Sequence, residues 1–528
     1  MMRKLMILAL AMLSSTAVLP LTSGATQLLS LGLPDATIPG ALSAPYPTTI
    51  GISLVWEIQG DDNLNGAVSV DYRPTGGSSW IMGAPLIRVP AGSYQTFNWS
   101  NKHAGSIFDL QEATTYEIRL ALSDSDGGSA TRYLNVTTRQ VPGPMPGAPV
   151  KVAGPSNFSS VASGAQPGDI IQLDNGTFAG FTFSRDGAAG MPIVIRGSGA
   201  SIIDDNIFAD STRHVMLDSL IINGTVKARG SQNFTMIGCT VTPVGGGVED
   251  DGIILWGRSE NGYISDNVVL GVTRWEEGAL GASGNNTGEG IVVSGPGHVI
   301  RNNLVRGFRD GLSLMEDTQA FDQFSIDFLY NDVDQAADDG VEADFCFHNC
   351  RVTRNRLTNV FMPLSSQPSL GGPLYFARNV VYNGLYEAVK LHRNSVGDVA
   401  VHNTFVMHGN AFGVYTSDVN SRQWYRNNLF LGGPGKTLNG YDTGPGLIMD
   451  LDPFDATSSF DNDAFGTAAA TFEGRFRGAS FAGIAQMRNQ TTEKNAIQAD
   501  YSGFNSTVTH PANPFPALAP ADLRIKSG

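Results

Sequence analysis

Cysteine is nearly absent, with Cys239, Cys346 and Cys350 the only three in 528 residues. Disulfides therefore do not hold the fold together, although a Cys346–Cys350 bridge inside one loop stays open. No second Cys or His pair at ligand spacing accompanies them, which argues against a zinc site. Basic residues are scarce as well: 34 Lys and Arg stand against 49 Asp and Glu, giving a net charge of -15 and a pI near 4.9. Nucleic acid is excluded as the expected partner, because phosphate binding needs clustered Lys and Arg. An acidic protein can still take an acidic polymer through a local basic stripe or bridging cations. Apolar residues make up 41% of the chain at a mean hydropathy of -0.06, as in a protein whose apolar residues are spread over short strands. The run from Leu5 to Leu13 is shorter than the roughly 20 residues that span a bilayer. It follows Arg3 and Lys4 and leads to Ser23, Gly24 and Ala25, so residues 1–25 read as a secretory signal. The expected location is secreted or periplasmic, with no integral membrane segment after cleavage near Ala25.

What is present is β structure in two styles. A chain of this length calls for several domains or one elongated repeat domain with an accessory module. Residues 34–140 alternate apolar and polar side chains between turn residues, as in Ile52-Ser53-Leu54-Val55-Trp56, Val68-Ser69-Val70-Asp71-Tyr72 and Tyr116-Glu117-Ile118-Arg119-Leu120. This is the pattern of a small β-sandwich. Trp56 on an early strand, with Leu110 and Thr115-Tyr116, resembles the core tryptophan and tyrosine corner of fibronectin type III domains. The run Val141-Pro142-Gly143-Pro144-Met145-Pro146-Gly147 then reads as a semi-rigid linker.

From about residue 210 the chain repeats itself. Asn331, Asn355, Asn379, Asn403 and Asn427, each followed two residues later by an apolar side chain, recur at a constant spacing of 24, and Asn302 and Asn267 extend the series at wider spacing. A fixed period with short β-rich runs and no amphipathic helix fits a parallel β-helix whose coils stack on one another. Leucine-rich repeats share the period but lack this composition of Asn, Val and Gly. The repeated Asn is read as structural, its amide bonding along the stack of turns.

The opening of the second domain, Ala165-Gln166-Pro167-Gly168-Asp169-Ile170-Ile171-Gln172-Leu173-Asp174-Asn175-Gly176-Thr177-Phe178 followed by Pro192-Ile193-Val194-Ile195-Arg196, resembles the first coils of pectate-lyase-like right-handed β-helices. The resemblance implies an all-β protein, a right-handed parallel β-helix over residues 150–528 preceded by the fibronectin III-like sandwich. It points to fold far more strongly than to reaction, since lyases, hydrolases, epimerases and phage tailspikes share it. A monomer is expected. In similar proteins a run such as Asp522-Leu523-Arg524-Ile525 leads into a further turn, so a truncated end is expected.

Aligning coils by the Asn series brings Leu312, Val341, Leu364, Val389 and Val414 into one inward column. The outward columns are Ser313, Glu342, Ser365, Lys390, Tyr415 and Met315, Asp344, Gln367, His392, Ser417. With coils ~4.8 Å apart, Glu342 and Lys390 lie about 10 Å apart at the backbone, and Asp344 and His392 likewise, leaving room for one sugar ring. Around them lies a dense acidic stretch: Asp332, Asp334, Asp338, Asp339, Glu342 and Asp344. Carboxylates so crowded repel unless a cation or raised pKa values relieve them, and Asp338, Asp339, Glu342 and Asp344 are the candidate ligands for Ca²⁺.

Three functions fit this surface. The favoured one is a polysaccharide lyase cleaving a uronic-acid-containing glycan by β-elimination, which needs a base, an acid and a group that neutralises the substrate carboxylate. Candidate catalytic residues are Lys390, His392, Glu342, Asp344 and Asp339. Gln367, Arg393, Tyr415 and Arg309 are candidates for substrate binding. The second is an inverting glycoside hydrolase, in which Asp338-Asp339 with Asp310 or Asp317 one coil earlier resembles the polygalacturonase arrangement. That family's Gly-His-Gly is absent, and Met362-Pro363-Leu364-Ser365 stands in its coil. The third is a non-catalytic carbohydrate-binding surface protein, for which the columns offer few aromatic residues beyond Tyr415, with Trp256 further up.

Overall fold

A computed structural model describes residues 35–244 and 250–526. The expected signal segment lies outside the described residues. No helix among them is long and apolar enough to cross a membrane.

The N-terminal unit is two antiparallel four-stranded sheets. One pairs Ile38–Ser43, Ile52–Gln59, Lys102–Ile107 and Ile87–Val89; the other pairs Ala130–Thr137, Thr115–Ser123, Ala67–Pro74 and Ile81–Met82. Alternation along Thr115–Ser123 buries Tyr116, Ile118, Leu120 and Leu122 against Trp56, Leu54 and Val70, so the period-two pattern is the core itself. The Tyr116 hydroxyl accepts the Gln111 N–H at 2.9 Å and closes the corner before its strand.

The second unit is a parallel β-helix. One wall is a 13-stranded parallel sheet from Val150–Ala153 to Ser459–Asp461; the other is a 19-stranded sheet from Gly176–Thr182 to Ile497–Gln498. Strands of one wall pair with the next coil's copy, so every inward side chain stacks on its equivalent. Leu312, Val341, Leu364 and Val389 form such a stack, each at most 1% exposed, with Val414 packed partly buried beyond them. Burial of one Leu or Val per rung is worth roughly 1.5–3 kcal/mol, repeated along the solenoid.

The turn between walls carries the Asn ladder. Asn355 Nδ2 donates to Asn379 Oδ1 at 3.0 Å and to the Phe328 carbonyl at 2.9 Å, while its own Oδ1 accepts from Asn331. The members are Asn267, Asn303, Asn331, Asn355, Asn379, Asn403 and Asn428, ending on Asp463. Two positions differ from the sequence reading. Asn302 and Asn427 are not rungs; each takes a left-handed φ, +54° and +56°, and the Asn that follows it is the rung. An Asn-Asn pair satisfies the spacing twice, and the turn geometry chooses the second.

The sandwich docks on the 13-stranded wall by offering Ser53 and Ser106 to that wall's buried Arg351–Asp327 ion pair. Arg351 Nε meets Asp327 Oδ1 at 2.5 Å and its Nη1 donates to Ser53 Oγ at 2.8 Å and Ser106 Oγ at 3.1 Å. Cys346 and Cys350 are joined in a disulfide, and Cys239 is free and buried.

Candidate active site

The outward column of the 19-stranded wall is in the expected register: Ser313, Glu342, Ser365, Lys390 and Tyr415 are successive Cα partners. Their side chains depart from the expectation. Lys390 does not leave a sugar-sized gap above Glu342; it reaches back two coils, with Nζ 2.5 Å from Asp339 Oδ2 and 3.7 Å from Glu342 Oε1. A long amine beside several buried carboxylates lies down among them. Burial alone would lower the Lys390 pKa, but Asp339, Glu342 and Asp344 outweigh it and push it up. Lys390 is thus a fixed cation, and its assignment as the base of an elimination is corrected.

The acidic stretch separates into two groups. Asp332 and Asp334 are structural: Arg356 Nε donates to Asp332 at 2.8 Å and Arg306 Nε to Asp334 at 2.8 Å. The rest form overlapping triads whose facing oxygens lie within 4.8 Å of one another: Asp310, Asp338 and Asp339; Glu289, Asp310 and Glu342; Glu316, Glu342 and Asp344. The four expected calcium ligands are therefore not one set. A hard cation fits the oxygen donors of a triad, and Glu342 with Asp344 shares one with Glu316. Strand register puts these acids on adjacent rungs, with Glu289 paired to Asp310, and the Asp339 N–H donates to Asp310 Oδ1 at 2.8 Å.

Crowding and burial act together on these groups. Desolvation, then the neighbouring charges, raise Asp310 and Glu342 well above the carboxylate range and push Asp338 to about 6. Burial also pushes Glu289 to about 7 and Asp344 to about 8. Buried oxygens of Asp338, Asp339, Asp344 and Glu289 find no hydrogen-bond partner. An unpaired buried carboxylate oxygen is costly, so the site holds its acids ready for a proton, a cation or a substrate hydroxyl.

The other predicted residues are placed around this floor. Arg309 is occupied by Asp310 at 3.3 Å and Asp338 at 3.5 Å; at 43% side-chain exposure it is far more open than the acids it pairs with. Gln367 supplies its backbone N–H to Asp344 Oδ1 at 2.7 Å, alongside the Ser365 hydroxyl at 2.7 Å. Arg393 faces Asp317 at 3.4 Å and Glu316 at 3.5 Å. His392 stands apart from the lysine network, its Nδ1 3.3 Å from Ser417 Oγ and 3.6 Å from Asp418 Oδ2, its ring 5.6 Å from Tyr415. The local basic stripe anticipated for an acidic polymer is absent here, since Lys390, Arg309 and Arg393 are each paired with carboxylates.

Sequence reasoning missed Glu289, Glu316, Tyr386 and Tyr441. Tyr386 links Tyr415 at 6.1 Å to Tyr441 at 5.3 Å, forming an aromatic wall. Tyr441 sits on the hairpin Thr437–Leu438 and Tyr441–Asp442, beyond the regular period, where no repeat signal reaches. Glu289 was recoverable, being one rung before Asp310, but the 271–288 insertion hides its register. The other histidines lie elsewhere: His348 stacks on Phe324 at 4.8 Å and His408 Nδ1 meets the Pro511 carbonyl at 2.8 Å.

No protein-family profile and no curated protein sequence matches the chain. Among solved structures it is similar to an alginate lyase from Paenibacillus sp. str. FPU-7, at 14% identity over 62% of this chain and 98% of that one with a TM-score of 0.29. It is also similar to the Yersinia enterocolitica family 28 exopolygalacturonase, at 8% identity over 82% and 96% with a TM-score of 0.23. The sheet topology defines the class, a parallel β-helix protein with an N-terminal β-sandwich. Function is read from the side chains.

Proposed function

We propose that this protein cleaves a polysaccharide by hydrolysis, with Asp338 as the proton donor and Asp339 as the base that receives the proton of water. One observation carries the reading: two buried carboxyls adjacent in sequence have different cationic partners, Asp339 the buried Lys390 and Asp338 the more exposed Arg309. Asp339 is ion-paired with Lys390, whereas burial and that same Asp339 charge hold Asp338 up to about 6. A carboxyl raised in this way beside a lysine-paired carboxylate supplies an acid next to a proton acceptor. Arg309, the exposed partner of Asp310 and Asp338, moves aside to admit the sugar. The tyrosine wall gives the ring a face to stack on. Because each base here is already paired, an acidic glycan enters with a cation, and Ca²⁺ on Glu316, Glu342 and Asp344 suits that role. Export and action as a monomer complete the proposal.

A second reading has its own support. His392, with Asp418 and Ser417 orienting its ring beside the exposed Tyr415, is a base and acid pair that a β-eliminating lyase could use. Product chemistry separates the two. Incubated with neutral and uronate polysaccharides, the protein should release reducing ends without an unsaturated uronate end. Unsaturated ends lost in His392→Ala and retained in Asp338→Asn would replace hydrolysis by elimination.

A further inference from the structure

On the opposite wall, the outward side chains of the 13-stranded sheet run Arg351, Tyr375, Val399, Trp424 in one column and Thr353, Ala377, Val401, Arg426 in the next. The sandwich covers the first rungs of this face and stops short of Trp424, which is 41% exposed. At that edge a cavity of about 520 Å³ opens, floored by Tyr375, Val399, Val401 and Trp424 with Ile87 and Phe108 of the sandwich.

The rim of the cavity is basic in a way the fold does not require. The turn residue just before each ladder Asn adopts a left-handed φ, which Asn and Asp tolerate better than other residues with a β-carbon. Asp266, Asn302, Tyr330 and Asn427 fill the position in other coils, and three consecutive coils at the cavity carry Arg354, Arg378 and His402, at φ of +56°, +58° and +57°. Asp109 of the sandwich answers Arg354 with two contacts of 2.7 Å. Among the described residues Arg378 and His402 have no carboxylate at ion-pair distance. Burial and the Arg378 charge both lower the His402 pKa. Arg354 and Arg378 are like charges on neighbouring rungs, which Asp109 offsets in part from the side of Arg354. Arg426 lies 4.7 Å over one face of the Trp424 ring, its guanidinium held by the Ser459 carbonyl at 2.9 Å and the Ser459 hydroxyl at 2.8 Å.

We infer that this cavity binds an acidic sugar unit of a glycan, its apolar ring face on Trp424 and the valines and its carboxylate on Arg378. A flat aromatic and aliphatic floor suits the C–H face of a pyranose, and Asn427, His402 and Thr353 at the rim suit its hydroxyls. An acyl chain would bury the floor but leave those polar groups unanswered. The cavity would anchor the polymer on a wall separate from the acidic site, whatever reaction that site performs.

Hydroxyl-radical footprinting of the full chain tests this. A trigalacturonate probe should protect the peptide containing Trp424, its fully methyl-esterified counterpart should protect it far less, and Arg378→Ala should weaken the acidic probe's affinity roughly ten-fold, as expected for one lost charge-assisted contact. Arg378→Lys keeps the charge and should recover part of the affinity, which separates recognition from misfolding. Equal protection by both probes, or none at millimolar concentration, overturns the inference.

Discussion

The Asn ladder and the acidic site are built by the same coil repeat, a few residues apart, and treat their polar atoms in opposite ways. Asn379 places every side-chain atom it has: Nδ2 on the Val352 carbonyl at 2.9 Å and Asn403 Oδ1 at 3.0 Å, Oδ1 under Asn355. Asp338, Asp339, Asp344 and Glu289 each keep a buried oxygen with no partner. The ladder amide is saturated, whereas each of these acids leaves an oxygen open at a cost to stability.

Substitutions on the two sides should separate accordingly. The largest effect belongs to the acids: Asp338→Asn and Asp339→Asn should each lower reducing-end release by roughly 10²–10⁴-fold, with the thermal midpoint held in Asp338→Asn and lowered in Asp339→Asn, which strips the buried Lys390 of its partner. Asn379→Ala should do the reverse, costing about 1–3 kcal/mol of stability by orphaning its ladder partners while folded molecules keep their turnover. Activity loss in the ladder variant at full folding, or unfolding of both acid variants, would erase the distinction.

Calcium probes the open oxygens next. At millimolar concentration it should raise the thermal midpoint of the wild type, and Glu342→Gln or Asp344→Asn should remove the rise. A rise unchanged by both substitutions moves the cation elsewhere.

The smallest effect lies where ladder and acid meet. Asp463 takes the place of the next Asn, and its N–H faces Glu493 Oε2 at 3.3 Å. Burial, then Asp463, pushes Glu493 to about 10 from 4.5. The folded state thus holds a proton that the unfolded chain releases, so this stability is complete below about pH 4.5 and drains as pH rises toward 10. Glu493→Gln should leave the midpoint at pH 4 unchanged and raise it at pH 9; equal midpoints at pH 9 would show that no proton is shared.

The ladder was legible because periodicity is a property of the chain: a 24-residue spacing survives without knowing where any side chain points. The outward column was legible for the same reason, since register fixes which residues stack. What Lys390 does was not legible. Its backbone lies where expected, but a flexible amine goes to the nearest unbalanced charge, and that charge, Asp339, is in a neighbouring column two coils back. Tyr441 and Glu316 come from a hairpin and a short 3₁₀ turn outside the repeat, so their approach to the site is set by loop packing. Repetition therefore predicts the wall well and the chemistry on it poorly.

The dependence of turnover on pH is the most direct measure of the central claim, that Asp338 is a proton donor made so by its neighbour. On a soluble neutral glycan the wild type should lose kcat as pH rises through about 6, where Asp338 gives up its proton, and Asp338→Asn should retain only a weak activity without that limb. A wild-type rate that climbs through the same range, or a limb that persists in the variant, would contradict it.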